Sequence, residues 1–472
     1  MQKSLFLLDK LLFYLVIFLF VFIPLYPKFP LINIQGTFVA IRLEDLLIGL
    51  TISLWGIYLV LSDQLKSFLK IRVYQAILLF FFIGAVSTFS AAFLTHSVSL
   101  HISILHYLRR LEFILLLPVV ATVVREKKRL ILILVFLSLT VLVVNLYALG
   151  QQYLDWPVIS TTNSEFSKGL ILRLTPDARV NSTFAGHYDL AVFLAMTISI
   201  LTALFFAVRK TLKPLIGILG VLSMIVLIMT AARLSFVGAF VGVLSSLIFT
   251  KKKKYILLIV IVTIAILIYP SQLRDRLVST VTVNLFNQGQ RYGGVTQDQK
   301  IRSKLNIPTL AVKTSSQSAS TSAFASSSGV VATDITPGEP LDTTQLGVYR
   351  SFEIRLNIEW PRALAALMKN PLLGTGYSSI DIATDNDILR SLGEVGILGT
   401  LVLILIMIEV AKRVFRSLKN DSKLIRYFSA GVLSMIVAFT VNGLFIDVFE
   451  ASKVASLFWM VLGLNLALWN KT

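Results

Sequence analysis

Cysteine is absent from all 472 residues, which excludes disulfides, thiolate nucleophiles, cysteine-ligated zinc and iron–sulfur clusters. Histidine occurs only as His96, His101, His106 and His187. Four scattered imidazoles argue against a multi-histidine metal centre and leave open only an ion held by carboxylates; the sequence calls for no cofactor and no metal. Charge is scarce as well, at 15% of the chain where a soluble domain carries about 25%. Apolar residues reach 56% against about 45–50% in a soluble domain. The chain is therefore too apolar for one soluble globule or for a disordered polymer. Acidic charge is the scarcer sign: 25 carboxylates face 44 lysines and arginines, a net charge of +19. Such an excess suits nucleic acid, but no reader motif is present. Cytoplasmic loops of a membrane protein, drawn to anionic lipid, explain it more simply.

What the sequence does contain is a series of long apolar runs. Twelve are evident: Leu11–Leu25, Leu46–Leu61, Val73–Leu94, Ile102–Val124, Leu130–Tyr147, Tyr188–Val208, Leu215–Thr230, Leu234–Phe249, Tyr255–Tyr269, Ile388–Glu409, Tyr427–Phe445 and Val454–Trp469. A bilayer crossing takes about 20 apolar residues, and shorter runs are accommodated by tilt and shielding. The first run is followed by Pro24, Pro27 and Pro30 rather than a small-residue cleavage site, so it does not read as a cleavable signal. With Lys3 and Lys10 placed inside, every short basic cluster falls on the same side, including Lys66/Lys70/Arg72, Arg125–Arg129, Arg209/Lys210/Lys213, Lys251–Lys254 and Lys412–Arg426. That regularity supports twelve spans with both termini cytoplasmic. The expected organisation is spans 1–9 over residues 1–269, one large extracytoplasmic loop over 270–387, and spans 10–12 over 388–472. Within the loop, Lys313–Gln345 is rich in Ser, Thr, Ala and Gly and reads as a flexible insert whose removal leaves activity intact. Tyr349–Lys369 reads as one or two short surface helices, with Pro361 starting the second. A shorter outer loop covers 150–187.

Charges at the outer mouth are the candidates for chemistry. Arg109, Arg110 and Glu112 lie in the outer part of span 4; Arg233 sits at the tight turn between spans 7 and 8; Arg173 and Arg179 are in the shorter outer loop and Arg355 in the long one. Arginine near lipid lines a polar cavity or pairs with a partner. Several arginines converging on one cavity suit a phosphate or diphosphate, because the guanidinium fork binds its oxygens bidentately. Each could equally snorkel to headgroups or pair locally. Asp385 and Asn386 precede span 10, which opens with Gly393, Glu394, Gly396 and Gly399. They could serve as a base, or simply as helix caps, with the glycines allowing close helix packing. Gly374 and Gly376 allow a turn with positive φ. His187 could exchange a proton near neutral pH or be an interfacial histidine bonded to a neighbour.

In this order and placement the strings Arg179-Val-Asn-Ser-Thr-Phe-Ala-Gly-His187, Thr230-Ala-Ala-Arg233-Leu-Ser, Arg355 with Trp360 and Asn370-Pro-Leu-Leu-Gly374-Thr-Gly376, and Asp385-Asn386-Asp387-Ile-Leu389 with Glu394, Gly396 and Gly399 resemble the O-antigen ligase/O-antigen polymerase superfamily of integral membrane glycosyltransferases. The likeness covers roughly residues 170 to 445. It implies an all-α, GT-C-like bundle in the inner (cytoplasmic) membrane. It also implies metal-independent transfer of a saccharide, outside the cytoplasm, from an undecaprenyl-pyrophosphate lipid to a glycan hydroxyl. Arg233, Arg355, Arg179 and Arg109 would hold the pyrophosphate. Asp385, His187 and Glu394 would be the catalytic candidates. The family ligases often carry His immediately before the Asn, where this chain has Asp385, a difference that leans toward a polymerase or another acceptor. The implied partners are the lipid-linked donor, a glycan acceptor and membrane lipid, with no nucleic acid. The competing reading is a transporter or flippase for a lipid-linked or charged solute, which would call for charges at mid-membrane and inverted repeats; no internal repeat is visible.

Overall fold

The computed structural model describes residues 2–34, 40–159, 171–172, 179–282, 351–380 and 383–467. Arg173, the insert Lys313–Gln345 and most of the expected large loop lie outside the described residues.

Each of the twelve apolar runs carries a helix. In chain order the helices are α1 (Gln2–Leu25), α2 (Leu43–Leu61), α3 (Leu65–Leu69), α4 (Arg72–Phe93), α5 (Leu100–Val123), α6 (Lys127–Tyr153), α7 (His187–Ala207), α8 (Lys213–Met229), α9 (Arg233–Phe249), α10 (Ile256–Ile268), α11 (Gln272–Thr282), α12 (Trp360–Lys369), α13 (Asp387–Arg416), α14 (Lys423–Gly443) and α15 (Ser452–Ala467). Among the described residues the only strands form two small antiparallel pairs, Pro30–Ile32 with Ile41–Arg42 and Val158–Ile159 with Ile171–Leu172. The chain is thus an all-α protein with multiple membrane-spanning helices. Among the described residues, eight helices suffice by length and composition to cross a bilayer, or nine if the bent pair formed by 253–268 and 272–280 counts as one span. Of the other helices on apolar runs, α9 and α15 are shorter, and α5 carries Arg109, Arg110 and Glu112.

Burial sorts the helices into a centre and a shell. Every residue of α15 is buried, and α15 packs on α5, while α14 packs on α7 and α9 and α13 on α4. In α10 no residue is buried; Leu257, Ile261, Ile264 and Ile268 all point outward. Apolar side chains facing out on this scale need lipid as their solvent. Because lipid supplies little hydrophobic drive between helices, close contact and polar pairs hold them together. Gly463 lies so close to Leu117 that a Cβ there would stand 2.5 Å from its carbonyl oxygen. Asn145 donates to Ser223 at 2.9 Å, Asn465 to Ser429 at 2.7 Å, and Ser235 to Asn442 at 2.7 Å, all buried.

One helix is broken, and the break organises one end of the bundle. Within α13, Gly396 has φ 67° and ψ −170°, so the helical hydrogen-bond ladder stops there. The segment 370–376 fills the gap. Thr375 N–H donates to the Gly393 carbonyl at 2.9 Å and Gly376 N–H to the Glu394 carbonyl at 2.8 Å; in return Ile397 N–H donates to Pro371 and Leu398 N–H to Leu372. Ser87 of α4 adds donation to the Leu373 and Glu394 carbonyls. Gly374 and Gly376 have positive φ, as their sequence suggested. A Cβ on Gly374 would stand 2.5 Å from the Glu394 backbone, and one on Gly396 2.4 Å from the Leu372 oxygen. The glycines at 374 and 396 therefore serve backbone-to-backbone contact, beyond the helix packing expected of Gly396.

Two further details differ from expectation. Residues 351–369 are helical as expected, with Pro361 in the first turn of α12; what was not expected is the π-turn at Arg355–Glu359 that joins α12 to the residues before it. The α10–α11 junction bends by 96°, which lays amphipathic α11 across the end of the bundle.

Gly396→Ala should lower stability by at least about 2 kcal/mol, combining positive-φ strain with a backbone clash. Gly220→Ala in α8, where nothing lies within 4 Å of the new Cβ, should be neutral or stabilising by up to about 1 kcal/mol. Thermal unfolding of the detergent-purified protein reads both; equal stability of the two variants would contradict this account of the break.

Candidate functional site

The N-terminal ends of α7, α9 and α13, the last turn of α14 and the π-turn before α12 meet at one end of the bundle, with α11 beside them. Arg233 opens α9 straight after the turn Thr230–Ala232, in which Ala231 takes φ 50°. Its guanidinium donates to the Arg276 carbonyl at 3.4 Å and to the Thr280 hydroxyl, both on α11. The charges of Arg276, Arg355 and Arg179 all bear on it. Arg179 meets His187, the first residue of α7, at 2.7 Å. A guanidinium only donates, so Nε2 of His187 accepts, and the imidazole is neutral with its other nitrogen protonated. His187 in turn lies in the field of Arg179 and Arg276 and stacks on Tyr188.

Arg355 is buried and pairs with Asp385 at 2.5 Å; it also donates to the Ser351 hydroxyl and carbonyl and to the Phe445 carbonyl. The π-turn places Glu359 one wide turn on, buried, with Oε2 unpartnered. Burial pushes the Glu359 carboxyl up to about 7, and the negative charge of Asp385 adds to the rise while Arg355 opposes it. Burial also raises Asp385, against the pull of Arg355. Four arginines, two carboxylates and a neutral histidine thus share one polar region. Three of the residues singled out from sequence as diphosphate ligands, Arg179, Arg233 and Arg355, are brought together there with Asp385 and His187.

Arg109 and Glu394 keep other company. Arg109 lies 3.8 Å from Asp45, in a buried band that also holds Lys28 with Asp189, Arg42 with Glu44, and Lys453. Lys453 is fully buried and donates to the carbonyls of Thr183 and Pro24. Glu394 lies 3.3 Å from Arg390, which also reaches Asp447 at 2.9 Å and Glu450 at 3.2 Å; Arg110 is the second cation on Glu450. Glu394 is therefore a member of a buried ion network at the helix break. Asn386 is the helix cap that its position allowed: its Oδ1 accepts from Ile388 and Leu389. Asp447 holds the preceding turn through the N–H groups of Thr384 and Asn386.

Sequence reasoning missed Glu359, Arg276, Arg390 and Asp447. Arg390 was readable as an (i, i+4) partner of Glu394. Glu359 and Arg276 carried no signal, since their approach depends on the π-turn and the α10–α11 bend. Among the described residues no group of three or more His, Asp or Glu side chains is placed to hold a metal ion.

No protein-family model matches the chain, and no curated protein matches it.

Two measurements probe this chemistry. Glu359 keeps its proton well above the ordinary glutamate value of 4.5. Between pH 4.5 and about 7 the native state then binds a proton that the unfolded chain has lost, so stability falls as pH rises across that window. One component of the infrared carbonyl band of protonated carboxyls, that of Glu359, should vanish with a midpoint near 7. That component should be absent in Glu359→Gln and titrate lower in Asp385→Asn; its disappearance by pH 5 in the unaltered protein would refute the assignment. Arg390→Gln strands Glu394 and takes one cation from Asp447 and Glu450, and should cost about 3–5 kcal/mol in thermal unfolding, the usual result of breaking a buried pair.

Proposed function

We propose that this protein is an extracytoplasmic membrane glycosyltransferase that passes a saccharide from a polyprenyl-diphosphate lipid to a glycan hydroxyl, as a surface-polysaccharide polymerase or ligase. On this reading all twelve apolar helices span the inner membrane, both termini are cytoplasmic, and the long segment between α10 and α13 faces outward. The observation that carries it is the convergence of Arg179, Arg233, Arg276 and Arg355 at one end of an apolar bundle. Guanidinium groups gathered in this way suit a diphosphate, whose oxygens they bind bidentately.

The reaction follows from that arrangement. The acceptor oxygen attacks the anomeric carbon, the bond from that carbon to the diphosphate oxygen breaks, and the leaving diphosphate gains negative charge. Fixed guanidinium groups in a water-poor site stabilise that charge without reorganising. The acceptor proton must go to a base. Asp385 is committed to Arg355 by its ion pair and acts by positioning it; Glu359, buried and titrating near neutrality, is the better-matched acceptor of the proton. His187, its Nε2 engaged by Arg179, orients that arginine. Asp385 in place of a histidine leans the assignment toward a polymerase.

A broken helix is also what ion-coupled transporters use, through freed carbonyls that hold the ion. Here the carbonyls of Gly393 and Glu394 are taken by Thr375, Gly376 and Ser87, so the break does not favour transport.

In cells, Arg233→Ala should abolish long-chain surface glycan while the protein remains at normal abundance. Unchanged chain length with the variant present at normal levels would sink the mechanism.

A further inference from the structure

The opposite end of the bundle carries a second concentration of positive charge, with a different geometry. Helix α4 begins there at Arg72; its far end, at Ser87 and Ser90, touches the segment 370–376. Helix α13 runs the other way and ends there at Arg416. Between the two ends lies a cavity of about 530 Å³ lined by Lys70, Arg72, Glu409, Lys412, Arg413 and Arg416. Its volume falls within the range of about 300–1,000 Å³ typical of small-molecule sites. Five cations face one carboxylate, and that carboxylate is already engaged by Lys412 at 2.9 Å. Arg413 on α13 lies in the field of Arg72 on α4 as well as that of its helix neighbour Arg416, so the α4 and α13 sides form one positive basin.

We propose that this cavity binds the phosphodiester headgroup of an anionic phospholipid. Three features select a lipid phosphate over a soluble one. The cavity sits where two apolar helices end, at the level where headgroups meet water. Leu405 is one helical turn from Glu409 on the same face, and it is exposed, as are Ile408 and Leu69, giving acyl chains an apolar surface beside the cavity. The guanidinium groups supply planar pairs of donors suited to phosphate oxygens. The site is remote from the arginine cluster and does not depend on the glycosyltransferase reading.

The test uses the full chain purified in a neutral detergent and titrated with short-chain phosphatidylglycerol, short-chain phosphatidylcholine or inorganic phosphate, with bound ligand counted by native mass spectrometry. Saturable binding of phosphatidylglycerol is expected, at least about tenfold tighter than either comparison ligand. Arg72→Gln/Arg416→Gln should weaken it about tenfold or more, since contacts to charged groups are the stronger hydrogen bonds. Lys127→Gln/Lys128→Gln, which removes the same charge from the start of α6, should leave it unchanged. If the arginine double variant does not fold, Lys412→Gln, on an exposed side chain, is expected to weaken binding at least threefold. Equal binding of both lipids, equal binding of inorganic phosphate, or equal loss in the Lys127/Lys128 variant would each overturn the proposal.

Discussion

A guanidinium does not escape burial by giving up its proton, so each arginine drawn into an apolar bundle must find oxygen to hold or leave room for an anion. That constraint shapes one end of this molecule. Arg390 is satisfied by three carboxylates and Arg110 by Glu450 and the Phe449 carbonyl. Arg355 has Asp385, and Arg233 has a carbonyl and a hydroxyl of α11. Arg179 is met by an imidazole nitrogen. Among the described residues, moving from Arg390 to Arg233, carboxylate partners give way to neutral ones. The diphosphate reading rests on that gradient.

The backbone obeys the same rule. Ending a helix ladder inside an apolar bundle frees carbonyls and N–H groups that would each cost several kcal/mol if left bare. The segment 370–376 takes them up at Gly396, and only glycine at 374 and 396 lets two backbones come so close. This joint also fixes the end where the arginines gather. It ties α13 to the stretch that carries Arg355 and Glu359, and it leaves Glu394 beside Arg390. A break used for structural closure accounts for a glycine pattern that would otherwise invite a packing or nucleotide-binding explanation.

Much of this was legible one residue at a time, and some was not. Apolar runs announced the helices, and the longest of them the candidate membrane spans, because lipid demands a length and composition that no loop supplies. Asn386 announced itself as a cap, and Gly374 and Gly376 as positions of positive φ. The turn before Arg233 was visible as a short polar interruption between two runs. Arg109 shows where such reading stops: its place in the outer part of α5 suited a diphosphate ligand, yet Asp45, distant in sequence, lies beside it in the fold. Glu394 was chemically plausible for the same reason, and Arg390 occupies it.

Composition and periodicity by themselves determined that this chain lives in a membrane as a bundle of helices, since hydropathy is a sum over neighbours along the chain. They also determined which residues carry charge into it. Which of those charges meet was decided only by the tertiary structure. The pairing of Arg355 with Asp385 spans 30 positions and depends on a π-turn, a glycine joint and a helix cap acting together. The nearness of Arg276 to Arg233 depends on a 96° bend between α10 and α11. Electrostatics falls off with distance through space, and the sequence records only distance along the chain.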